Sequence, residues 1–169
     1  EYLVRTNKGQ AIYKVPKVNF ESLLVSPRYF RDGKSPFQFS IEQVREVELE
    51  ADKVKAVIVK KDDQWVLKNP AANQKLNSEK LVKLFRDLKS LEAIEFVAKG
   101  EGWPGKPQIV LKGEQGPIFT LKWGADYKAK EPFNSSLTPR YVQISGSKEV
   151  LGIQKEKLDR LIDSAIIVK

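Results

Sequence analysis

Apolar and polar residues alternate along most of this chain, in short runs broken by Gly, Asn and Asp. Residues 2–6 (YLVRT) and 11–15 (AIYKV) flank the turn signal NKGQ and predict a hairpin. Residues 47–50 (VELE), 54–60 (VKAVIVK) and 64–68 (QWVLK) predict a meander that turns at Asp62 and Asp63. Two more hairpins are expected. One joins IVLK to PIFTLKW around Gly113 and Gly116, and the other joins YVQIS to EVLGI around Gly146 and Ser147. A single stretch changes period. Leu81, Leu84, Phe85, Leu88 and Leu91 recur at helical spacing, which predicts a helix over 77–91 started by Asn77 or Ser78. The fold class is α+β: antiparallel sheets, one long helix and short helices.

The two ends of the chain share a pattern. An offset of 138 positions lays Val4 on Val142, Ile12 on Val150, Val15 on Ile153, Phe20 on Leu158, Leu23 on Leu161 and Leu24 on Ile162. Matched apolar positions across two strands and a helix predict the same hairpin–helix unit twice. Residues 1–35 then read as the end of a first unit with its linker. Residues 36–169 read as a second, fuller unit with a meander, a helix, two hairpins and a C-terminal helix. The chain begins at Glu1 and holds no methionine, as expected of a slice from a longer tandem protein.

Composition excludes several chemistries. Among 169 residues there is no cysteine and no histidine, so disulfides, thiolates, a Ser-His-Asp triad and the usual zinc ligands are absent. No run approaches the ~18 apolar residues of a membrane helix. The net charge of +8 is spread along the chain without a block of like charges, so it reads as a solvated surface rather than a nucleic-acid stripe. The helix face bearing Lys80, Lys83, Arg86 and Lys89 reads the same way, since Glu79 and Asp87 interrupt it.

GEGWPGKP, residues 100–107, satisfies both G-x-G-x-x-G and G-x-x-x-x-G-K. Each motif needs a helix N-terminus behind it to present free N–H groups to a phosphate. Here a β-branched run follows, and Pro104 and Pro107 remove donors. We therefore expect no nucleotide and no other cofactor or metal.

With the elements placed, the chain resembles the bacterial family called domain of unknown function 4340. DQWVLKNP, LNSEKLVKLFRDLKSLEA, YVQISG and EVLGIQKEKLDRLI carry the likeness, with SPRYFRDGKSPF and SIEQVREVELE as a link between units. The resemblance implies an extracytoplasmic region of a parent protein anchored in the inner membrane, encoded beside transporter components of the gliding-motility ABC type. That anchor is expected outside these 169 residues. No catalytic residues are defined for the family, and none are carried over.

Candidate binding residues come from loops. Trp103 sits in the Gly/Pro loop, and the link 124–140 gathers Tyr127, Lys128, Lys130, Phe133 and Arg140. That basic, aromatic mixture suits stacking on a sugar, a base or a peptide, beside the plain reading of a mobile excursion. Trp65 and Trp123 are read as core aromatics, and the cluster Arg28, Tyr29, Phe30, Arg31 and Asp32 as holding a local Arg–Asp pair that orients a linker. Glu46, Glu48 and Glu50 line one strand face, where cross-strand pairing to lysines explains them. The 22 carboxylates assemble no acid/base constellation by spacing. The leading expectation is a non-catalytic interaction or scaffold module with a protein partner in a membrane complex. A glycan or anionic-polymer binding module is the alternative, and an uncharacterised enzyme the next.

Overall fold

The structure, a computed structural model, describes residues 2–5, 12–15, 37–51, 54–97, 105–128, 137–145 and 150–168. The chain divides into two units, Glu1–Gly33 and Lys34–Lys169. In the first, β1 (Tyr2–Arg5) pairs antiparallel with β2 (Ile12–Val15). The segment 16–24, where a helix was expected, lies outside the described residues.

The second unit is built on one antiparallel sheet. Its strands are β3 (Glu46–Ala51), β4 (Val54–Lys61), β5 (Gln64–Leu67), β7 (Glu95–Val97), β8 (Lys106–Gly113), β9 (Gly116–Asp126), β10 (Pro139–Ile144) and β11 (Val150–Gln154). The spatial order is β5-β4-β3-β8-β9-β10-β11-β7. The expected meander and both later hairpins are present. Asp62 and Asp63 turn β4 into β5 with φ of 47° and 63°. Two consecutive positive φ values make the hairpin turn whose twist matches the strands, and short polar Asp tolerates them.

One sheet face is apolar. Val47, Leu49, Ile58, Ile109, Leu111, Phe119, Leu121, Val142, Leu151 and Ile153 are all buried on alternating strand positions. The helix α1 (Ser78–Lys89) adds Leu81, Leu84, Phe85 and Leu88 to the same core. Asn77 caps it by accepting a hydrogen bond from the Lys80 N–H at 3.2 Å. At 12 residues the helix has just over three turns and stops short of the expected end. Ser90 closes it, and Leu91 is buried beyond it.

The C-terminal helix is shorter than its apolar spacing predicts. α2 (Lys155–Asp159) has five residues, and Leu161 is buried just past its end. Asp163 then caps a 3-10 turn at Ser164–Ile166, its carboxylate accepting from the Ala165 N–H at 2.8 Å. This restart leads the chain into β12 (Ile167–Val168), which pairs with β6 (Lys75–Leu76). The Asn77 N–H donates to the Ile166 carbonyl, and Lys80 reaches Asp163 at 2.7 Å. The tail is thereby tied to the start of α1.

Candidate functional site

The candidate residues do not converge. Trp103, Lys130 and Phe133 lie outside the described residues, and Lys128 is exposed. The expected link 124–140 is strand at both ends, since β9 continues to Asp126 and β10 begins at Pro139. Arg140 is therefore a sheet residue rather than a loop residue. Adjacent strand positions point to opposite faces. Arg140 accordingly belongs to the core side, whereas its neighbour Tyr141 stacks on Tyr127 across the other face, with ring centroids 4.1 Å apart and planes 10° apart. The Tyr127 hydroxyl donates to Glu95 at 2.8 Å, and Glu95 is only 4% exposed.

What does converge is a groove where β3, β4, β8, β9 and β10 meet α2. It has a volume of about 450 Å³. Trp123, Gln108, Arg140, Lys155 and Asp159 supply its chemistry, and Ala51, Val54, Leu158 and Ile162 supply apolar wall. Trp123 is half-buried and packs against the core.

Backbone irregularities shape this groove. Between the pairs Arg140↔Asp126 and Val142↔Trp123, β9 places Gly124 and Ala125 opposite Tyr141 alone. This bulge turns Asp126 to the same side as Trp123, where it accepts a hydrogen bond from Arg140 Nε at 2.5 Å. On β8 the register slips again between Pro107 and Ile109, leaving Gln108 as the extra residue. A bulge lets Gln108 reach the groove although Ile109 beside it is buried in the core.

The charges in the groove are mutually paired. Arg140 also donates to Asp159 at 3.0 Å, and Lys155 bonds Asp159 along α2. Burial works against the Arg140 charge, but hydrogen bonding and attraction to Asp126 and Asp159 outweigh it and hold the guanidinium pKa above its usual value. Burial likewise opposes the Asp159 charge, and Lys155 and Arg140 outweigh it to keep the carboxyl below the ordinary range.

Elsewhere the sheet carries the expected ladder. Glu46 and Glu48 both bind Lys112 on β8, and Glu46 also meets Lys68 at 3.0 Å. The main cation is Lys112 rather than a residue just after β3, because register and not sequence proximity sets the partner. Lys55 lies 3.8 Å from Glu50. The hydrogen bonds from Lys112 and then Lys68 hold Glu46 below the usual carboxylate range. Trp65 meets Phe85 at 5.8 Å and is half-buried rather than fully enclosed. After Gly105 the chain enters β8 at Lys106, so a strand follows the glycines. Among the described residues no group of three acidic, His or Cys side chains is placed to hold a metal ion, and no helix is long and apolar enough to cross a membrane.

A family model described as a domain of unknown function (DUF4340) matches residues 1–108. The chain belongs to that family. The match takes in both units, from β1 to the start of β8, including the meander and α1. YVQISG and EVLGIQKEKLDRLI, which also carried the likeness, lie beyond the matched residues. Within this DUF4340 chain the groove straddles the limit of the match, with Ala51, Val54 and Gln108 inside it and Trp123, Arg140 and α2 outside. No curated protein and no solved structure matches the chain.

Proposed function

We propose that the chain is a non-catalytic interaction module of a membrane-associated, transporter-linked complex, displayed on the extracytoplasmic side and built from tandem hairpin–helix units. The observation supporting this reading is a shared register. Displaced by 138 positions, Tyr2↔Val15 falls on Arg140↔Ile153 and Leu3↔Lys14 on Tyr141↔Gly152. Val4↔Tyr13 likewise falls on Val142↔Leu151, and Arg5↔Ile12 on Gln143↔Val150. Apolar composition alone does not set such agreement, because a one-residue slip reverses every side chain. Tandem units extend surface area along one direction, and that is the usual means by which repeat proteins hold large partners. A parent protein anchored in the inner membrane would bring this surface to the outer side of a transporter.

The test is topological and biochemical together. A tag in the native protein should be cleaved by protease added to spheroplasts, and the native protein should co-purify with the membrane subunits of its transporter from detergent extracts. Protection of the tag in intact spheroplasts with cleavage only after lysis would overturn the extracytoplasmic reading. Exposure without co-purification would overturn the transporter-linked one.

A further inference from the structure

We propose that the groove around Trp123 is a binding site for a neutral saccharide, in which a sugar ring stacks on the Trp123 indole and hydrogen-bonds to Gln108. This inference stands independently of the scaffold reading, since it rests on the second unit alone.

The charge balance selects the class of ligand. Arg140 and Lys155 are matched by Asp126 and Asp159, each carboxylate being bonded to at least one of the cations. Among the described residues that line the groove no charge is left uncompensated to hold an anion such as phosphate, and an ionic ligand would have to break existing pairs. Displacing a hydrogen-bonded partner from a half-buried charge is unfavourable. The groups left over are neutral. Among the described residues, neither the Trp123 indole N–H nor the Gln108 carboxamide has a hydrogen-bond partner. One supplies a donor, and the other supplies two donors and an acceptor. A half-buried aromatic face beside unpaired neutral donors and acceptors complements a polyhydroxylated ring, which offers C–H groups on its faces and hydroxyls at its rim.

Size and backbone agree with this assignment. The volume of about 450 Å³ falls within the range of small-ligand sites, roughly 300–1,000 Å³. The sheet register is broken on both sides of Trp123, at Gln108 on β8 and at Gly124 and Ala125 on β9. Bulges gather next to binding sites because they re-aim side chains that regular pleating would send elsewhere. Here they bring Gln108 and Asp126 toward the side occupied by Trp123. An apolar ligand fits less well, because the polar groups would be buried without partners.

The test uses the intact chain with Trp65→Phe and Trp103→Phe, so that Trp123 alone reports. Cellotetraose, maltotetraose and the tetramer of N-acetylglucosamine are titrated while tryptophan emission is followed. We expect a saturable change with at least one of them, insensitive to added salt. Gln108→Ala should weaken that binding by about tenfold, equivalent to ~1.4 kcal/mol, with an unchanged circular dichroism spectrum. Should Gln108→Ala misfold, Gln108→Glu serves instead, keeping the size while removing the amide donors. No saturable change with any of the three sugars would overturn the proposal. Saturation by sulfate or by an acidic peptide in their place would overturn it too, as would sugar binding that both Gln108 variants leave intact.

Discussion

The hydroxyl of Tyr127 occupies the space where a β-carbon on Gly152 would stand. Glycine at 152 is thus fixed by a neighbour's side chain, on the face where Tyr127 stacks on Tyr141 and bonds Glu95. Gly152→Ala should destabilise the protein by about 1–3 kcal/mol, the usual range for overpacking. In a Tyr127→Ala background the same change should cost less, and urea denaturation of all four proteins gives the coupling. Additive losses would contradict the close approach.

Phe85 and Trp65 separate full burial from partial burial. Phe85 is 2% exposed and meets both Phe39 and Trp65, so Phe85→Ala should cost about 3–5 kcal/mol. Trp65 packs against the core from its edge, and Trp65→Ala should fall below that range. Thermal or chemical unfolding of the two variants tests the order.

The cap at Asn77 should matter on its own. Asn77→Ala removes the acceptor for the Lys80 N–H and is expected to cost ~1 kcal/mol, with Asn77→Ser recovering most of it. Amide exchange at the first turn of α1 should quicken in the alanine variant and not in the serine one.

Acid should reveal the Asp159 network. Because the folded pKa of Asp159 lies below its ordinary value, the group adds stability above its unfolded pKa, about 3.9, and that contribution fades as pH falls through the folded value. Asp159→Asn should therefore be less stable than the parent near neutral pH, and the gap should narrow as the solution is acidified. Urea midpoints across a pH series provide the measurement. A gap that widened in acid would reverse the sign of the argument.

How much of this was legible beforehand varies by element. The period of α1 and the turns at Asp62, Asp63, Gly113 and Gly116 are local signals, and each lies where expected within a residue or two. β6, β7 and β12 have two or three residues each, too few to show a period, and were not anticipated. Strand order is not local either, because nothing in VELE names Ile109 and Leu111 as its neighbours. The groove suffered most. Alternation carries no mark of a one-residue slip, so Gln108 and Asp126 did not appear beside Trp123 and Arg140. The loop candidates Tyr127 and Arg140, which bound one link of the sequence, fall on opposite faces of the sheet.

The sheet joins non-consecutive strands at β11–β7 and, over the longest separation, at the seam between β3 and β8. β3, β4 and β5 follow one another in the chain, as do β8, β9, β10 and β11, and each set turns through short connections or a single link. β3 joins β8 by pairs 60 positions apart at Leu49↔Ile109 and 66 apart at Glu46↔Lys112. Either meander can therefore begin forming from near neighbours, while the seam waits on closure of a loop that contains α1. Closing long loops before their contacts form is what slows folding in sheets of high contact order. Changes at Leu49 or Ile109 in the seam, and at the hairpin tips Asp62 or Gly116 that form before it closes, should then all act on the refolding rate.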